Sequence, residues 1–168
     1  MSRHKPTGIN PALPAGVRIA IVAARFNSHI VDGLLSGCLE QLEALGVAKN
    51  RVQIHRVPGA FEIPLAAQTL ARTEKFSAVI CLGGVIRGDT PHFDFVAGEC
   101  ARGIQNVALA ENLPIIFGVL TTNTEQQALD RIGRPKKSSG KPHIHAGRAA
   151  AEAACEMIAF QNDANRIE

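Results

Sequence analysis

The stretch VIRGDTPHFDFV (85 to 96) leaves an apolar run and, within a few residues, gathers an arginine, a glycine, an aspartate, a threonine, a proline and a histidine. Each suits a task beside a ligand. Thr90 followed by Pro91 reads as a helix cap and a residue preset for the first helical position, so a helix should open there with its free N–H groups pointing outward. Such a terminus, with Gly88 letting the backbone approach closely, can hold a phosphate or another anion. The same residues serve a plain turn equally well, and the Asp89 carboxylate would repel a phosphate unless only its backbone N–H is used. His92 falls in the first turn, where an imidazole can accept or give a proton near neutral pH. A lone histidine is otherwise a surface or structural residue.

Three further residues could join such a site. Phe26 closes the run VRIAIVAA (17 to 24) and could stack on a flat heterocycle, although a phenylalanine also serves a core. Glu62, in PGAFEIP, could accept hydrogen bonds from hydroxyls, although a carboxylate at the start of a helix is favoured by the dipole alone. Arg131 is by default a solvated cation near a helix end, and only the folded chain could bring it to a phosphate.

The bulk composition narrows the class. A chain of 168 residues, 46% hydrophobic and 20% charged, suits one well-buried domain over 1–168, with an extended leader over 1–16 and an extended loop over 134–145. The net charge of +3 is mild, and a 4% aromatic content without Trp or Tyr offers no platform for stacking bases, which argues against nucleic acid as a partner. No apolar run reaches the roughly 18 residues of a membrane span, and residues 1–16 lack the apolar core of a signal peptide. A cytoplasmic protein without a membrane partner is expected. Cys38, Cys81, Cys100 and Cys155 form no C-x-x-C pair and sit among small apolar residues, as thiols of a reduced compartment do.

The elements that must position these residues alternate. VRIAIVAA, RVQIHRV (51 to 57), AVICLGGVI (78 to 86) and PIIFGVL (114 to 120) read as strands. Between them lie helical patterns: one from Ser28 to a stop at Gly46, one from Pro64 to about Lys75, and one from Pro91 to Asn112. Thr122 and Glu125 in TNTE have capping-box spacing, opening a fourth helix through Arg131. This alternation specifies a parallel sheet sandwiched by helices, an α/β/α architecture with four strands. Ligands of such sheets sit beyond the carboxyl ends of the strands. That rule gathers Arg25 to Asn27, Pro58 to Glu62, Arg87 to His92 and Thr121 to Thr124 at one edge.

Four motifs, RFN (25 to 27), VPGAFEIPLAA (57 to 67), VIRGDTPHFDFV (85 to 96) and FGVLTTNTEQQALDRIG (117 to 133), resemble those of lumazine synthases in sequence, order and separation. The resemblance runs through about 15 to 133 and resumes at AAAEAACEM (149 to 157). It implies a flavodoxin-like domain that condenses 5-amino-6-(D-ribitylamino)uracil with 3,4-dihydroxy-2-butanone 4-phosphate to 6,7-dimethyl-8-ribityllumazine, phosphate and water, the penultimate step of riboflavin biosynthesis. No metal and no organic cofactor is implied. Carried over motif by motif, Phe26 stacks on the pyrimidine beside Asn27. Gly59, Ala60, Phe61 and Glu62 hold the ribityl chain, and Gly84, Val85 and Ile86 read the pyrimidine edge with backbone groups. Asp89, Thr90 and Arg131 hold the phosphate, His92 transfers protons, and Phe117 reaches into the site of an adjacent subunit.

The resemblance is broken by RPKKSSGKPHIHAG (134 to 147), longer than the usual family link, with Ala146 where many members carry a lysine. In the family that this chain resembles, short links go with icosahedral shells and longer ones with free pentamers, so the resemblance implies a homopentamer with sites between adjacent subunits. Riboflavin synthase is the candidate pathway partner. Lys136, Lys137 and Lys141 read as a solvated basic loop, and His143 with His145 as solvated loop histidines, since two ligands alone make a poor metal site. A different class, a non-catalytic flavin- or lumazine-binding paralogue on the same scaffold, has no need of His92, Arg131 and the turn from Gly88 to Pro91.

Overall fold

Four parallel strands run side by side in the order β2-β1-β3-β4: β1 (Ile19–Ala24), β2 (Val52–Val57), β3 (Ala78–Ile86) and β4 (Ile115–Thr122). The computed structural model describes residues 11–133 and 144–166. Most of the leader, and the loop residues Lys136, Lys137, Lys141 and His143, lie outside the described residues. Every side chain of β1 and the first seven of β3 are buried, which is why these strands are unbroken apolar runs. β2 forms one edge and stays half open to solvent.

The connecting helices are α1 (Ser28–Ala44), α2 (Ile63–Ala71), α3 (His92–Ala110), α4 (Glu125–Asp130) and α5 (Ala146–Ala164). The first crossover steps outward from β1 to β2, and the next two step back to β3 and on to β4. With the right-handed connections that twisted strands impose, α1 covers one face of the sheet and α2 with α3 the other. α5 packs against α1, completing the flavodoxin-like α/β/α sandwich. Among the described residues no helix is long and apolar enough to cross a membrane.

Two helix starts differ from the sequence reading. α3 opens at His92 with Pro91 at the cap position, and Thr90 does not cap it. The Asp94 N–H instead closes a tight turn on the Pro91 carbonyl at 2.9 Å. α4 is capped by Thr124, whose hydroxyl accepts from the Gln127 N–H at 3.3 Å. Thr122 cannot serve there: it pairs with Ile86 in the β3–β4 ladder, where it is buried. His145 also departs from expectation. Its ring packs against Gly37 of α1, where a side chain would overlap it, and its buried Nδ1 has no hydrogen-bond partner among the described residues. Burial, and then the nearby Arg148 guanidinium, push its pKa down.

Candidate active site

Strand order reverses direction between β1 and β3, whose following connections leave in opposite directions and open a crevice beyond their carboxyl ends. The structure places a cavity of about 680 Å³ there. Its floor comes from β3, through Gly84, Val85 and Ile86, and one wall comes from Phe26 and Asn27 after β1. Asn27 takes left-handed backbone angles (φ 55°), and its side-chain amide is spent across the crevice rather than on capping α1. Its Nδ2 donates to the Gly84 carbonyl at 2.9 Å, fastening the two strand ends together.

The ladder between β1 and β2 continues past the strands. Arg25 and Phe26 donate their N–H groups to the carbonyls of Val57 and Pro58 at 2.8 and 3.0 Å, so the Phe26 ring stands beside the segment from Pro58 to Glu62. It is 70% exposed and Phe61 is 58% exposed; two open phenylalanines at a cavity mouth are surfaces for a flat apolar ligand. Glu62 occupies the cap position of α2 and reaches back with Oε2 to accept the Gly59 N–H at 2.8 Å. That bond shapes the turn and leaves the other carboxylate oxygen free for a hydroxyl donor.

The opposite wall is the start of α3. His92, Phe95 and Val96 follow the i, i+3, i+4 spacing of one helical face and line the cavity together with Phe93. Gly88 and Thr90 line it from the preceding turn, and a β-carbon on Gly88 would meet nothing within 4 Å, so the approach to this backbone is open. An exposed imidazole and the first amides of a 19-residue helix thus face two aromatic rings and a carboxylate across the crevice. The arrangement can hold a planar heterocycle, a polyhydroxyl chain and an anion while a proton is moved.

A family model described as 6,7-dimethyl-8-ribityllumazine synthase matches residues 16–162. The chain belongs to that family. A curated relative, the 6,7-dimethyl-8-ribityllumazine synthase of Protochlamydia amoebophila (strain UWE25), is 50% identical over 141 residues, 84% of this chain and 78% of the relative. The stretch matched to the 6,7-dimethyl-8-ribityllumazine synthase family contains every residue that lines the cavity.

Of the residues singled out in the sequence, Phe26, Asn27, Gly59, Ala60, Phe61, Glu62, Gly84, Val85, Ile86, Thr90 and His92 come together in this one cavity. Asp89, Phe117 and Arg131 do not line it. Arg131 ends α4 and folds back on its own helix, its Nη1 donating to the Gln127 carbonyl at 2.7 Å. Phe117 lies in mid-β4 opposite Cys81 and is 44% exposed. Phe93, Phe95 and Val96 also line the cavity and were not singled out in the sequence; the i+3 and i+4 spacing from His92 could have found Phe95 and Val96, and nothing comparable marked Phe93. A second hollow of about 490 Å³, between residues 11–14 and α5, contains none of the candidate residues.

Proposed function

We infer that the chain condenses 5-amino-6-(D-ribitylamino)uracil with 3,4-dihydroxy-2-butanone 4-phosphate, giving 6,7-dimethyl-8-ribityllumazine, phosphate and water as the penultimate step of riboflavin biosynthesis. The observation that carries this is the strand-end cavity: in a chain of this family, it joins a stacking ring, a hydroxyl acceptor, an open helix N-terminus and an imidazole. In this reading the pyrimidine stacks on Phe26 with its edge along Gly84 to Ile86, and the ribityl hydroxyls meet Glu62. The phosphate rests at the amides of Asp89 and Thr90, with Arg131 as counter-charge.

An amine of the pyrimidine attacks the ketone and water leaves as an imine forms; phosphate then departs by elimination, and ring closure expels a second water. These steps ask for alignment and proton transfer more than for a strong nucleophile. His92 is the proton-transfer group. Phe117 completes the site of the neighbouring subunit in a homopentamer, a reading supported by its exposure and by its distance along the sheet from its own cavity. One domain spanning residues 1–168, placed in the cytoplasm, and riboflavin synthase as consumer of the product belong to the same reading. Four free, buried cysteines suit a reducing compartment.

Incubating the purified protein with both substrates, while following lumazine absorbance and phosphate release, tests the assignment. Product should form above the spontaneous rate. His92→Ala should slow turnover about 100-fold, the low end of general acid–base contributions, with product affinity largely kept. Unchanged turnover would remove His92 from the mechanism.

A further inference from the structure

Arg87, the first residue after β3, has no task in the condensation as assigned above, yet its side chain is held by several partners among the described residues. Its Nη2 and Nη1 form a two-pronged bond to Asp94, at 2.8 Å to Oδ1 and 3.2 Å to Oδ2. Its Nε donates to Asn123 Oδ1 at 3.1 Å, its Cζ stands 4.2 Å from the centroid of the Phe93 ring, and its backbone N–H donates to the Thr122 carbonyl at 2.8 Å. The side chain is 42% exposed, and an exposed ion pair contributes little to stability. A planar fork engaged on three sides fixes geometry instead.

The placement of the partners gives that geometry a purpose. Asp94 lies two residues beyond His92, about 200° around the helix, so Arg87 grips the first turn of α3 from behind while His92 faces the cavity. Phe93 touches both sides, lying under the guanidinium and lining the cavity. From Asn123 the connections continue: its N–H donates to Gln127 Oε1 at 2.9 Å, and the Gln127 carbonyl accepts Arg131 Nη1 at 2.7 Å. Asp94, Arg87 and the Asn123 side chain thus tie the helix that bears His92 to the β4–α4 turn, and the Asn123 N–H ties that turn to α4 through Gln127.

We propose that Arg87 is a positioning residue that clamps the first turn of α3 to the β4–α4 turn and so fixes His92 and the phosphate-binding amides at the cavity. The inference rests on the roles given above to His92 and to the amides of Asp89 and Thr90. A misplacement of about 1 Å at such a site can cost as much as 100-fold in rate. Steady-state kinetics of the full-length oligomer therefore test it with Arg87→Met, Arg87→Lys, Asp94→Asn and the Arg87→Met/Asp94→Asn double variant. Arg87→Met should lower kcat and raise KM for the butanone phosphate, each about 10-fold. Affinity for the phosphate-free lumazine product should stay within about threefold of wild type, and Tm within about 4 °C.

Arg87→Lys should recover only part of the loss, because the charge returns without the fork. The double variant should be no slower than its slower parent, within about twofold, as members of one unit behave. Unchanged kcat and KM in Arg87→Met, losses that multiply in the double variant, or product affinity and Tm that collapse with the rate would overturn the clamp. Should Arg87→Met fail to fold, Asn123→Ala cuts the side-chain tie to the β4–α4 turn, and unaltered kinetics there would overturn it equally. A wild-type protein that makes no lumazine above the spontaneous rate would refute the condensation and the clamp together, whereas an active wild type beside an unaffected Arg87→Met refutes the clamp alone.

Discussion

Helices α3 and α5 are both 19 residues long, yet they meet their surroundings in opposite ways. α5 buries Gly147, Ala150, Ala151, Ala154, Cys155 and Ile158, a stripe of mostly small residues at helical spacing. Small residues let its backbone approach α1 so closely that the place of a Gly147 β-carbon is taken by the Leu34 carbonyl. α3 buries only Cys100, Ile104 and Val107, and leaves Phe95 and Leu109 about 70% open to solvent. Leu65 of α2, in the same layer, is open as well. On one face of the sheet the chain closes α5 onto α1 along this stripe, with Met157 and Phe160 open beyond it. The other keeps apolar surface of the kind that a second copy covers in the proposed pentamer.

The contrast is broken most forcefully on the α1–α5 side. Gly147→Val would drive a branched side chain into the backbone of Leu34, which cannot swing aside as a side chain can. A cost of about 3 kcal/mol, or ~10 °C in Tm, is expected in thermal unfolding. On the open side, Leu109→Asp should leave helix content by circular dichroism intact and weaken subunit association at least ~10-fold in sedimentation. A variant that keeps the wild-type mass at every concentration would place Leu109 outside any interface.

The smallest effect sharpens the α1–α5 side through pH. The His145 ring lies between Gly37 and the start of α5, and its pKa is lowered from the usual 6.5, mainly by burial and also by Arg148, with Glu40 opposing. A histidine whose folded pKa lies below its unfolded value takes up its proton more readily in the unfolded chain. Its stabilisation is complete above the unfolded pKa and is lost as pH falls through the folded one. Tm should therefore decline by a few degrees between about pH 7.5 and 5, and less steeply in His145→Gln. The bonds of Glu40 to Arg148 and of Asp94 to Arg87 lower those carboxyls below their ordinary 4.5 and 3.8, so their contributions are lost only in stronger acid. Equal slopes in the two proteins would clear His145 of any part in this layer's acid sensitivity.

The strands and the order of elements were legible because their cause is local: β1 and β3 are buried on both faces and must be apolar throughout. The residues after the strands could likewise be gathered by the rule that parallel sheets bind ligands at one edge, and Phe26, Glu62 and His92 do meet there. What escaped the sequence depends on register and distance. The cap of α4 falls at Thr124 because pairing with β3 carries β4 on to Thr122, a ladder that no local pattern reveals. The bonds of Arg87 join residues as far as 36 positions apart, and His145 meets a glycine of α1 only after folding. Phe117 and Arg131 lie away from the cavity of their own chain, and neither its sequence nor its fold brings them in.

The Ala146 N–H donates to the Arg131 carbonyl at 2.8 Å, so the chain re-enters α5 at the spot where it departed from α4. A departure and a return pinned to one point form a natural port. A change in the length of chain between departure and return is absorbed on the far side of that bond and leaves the strand registers as they are.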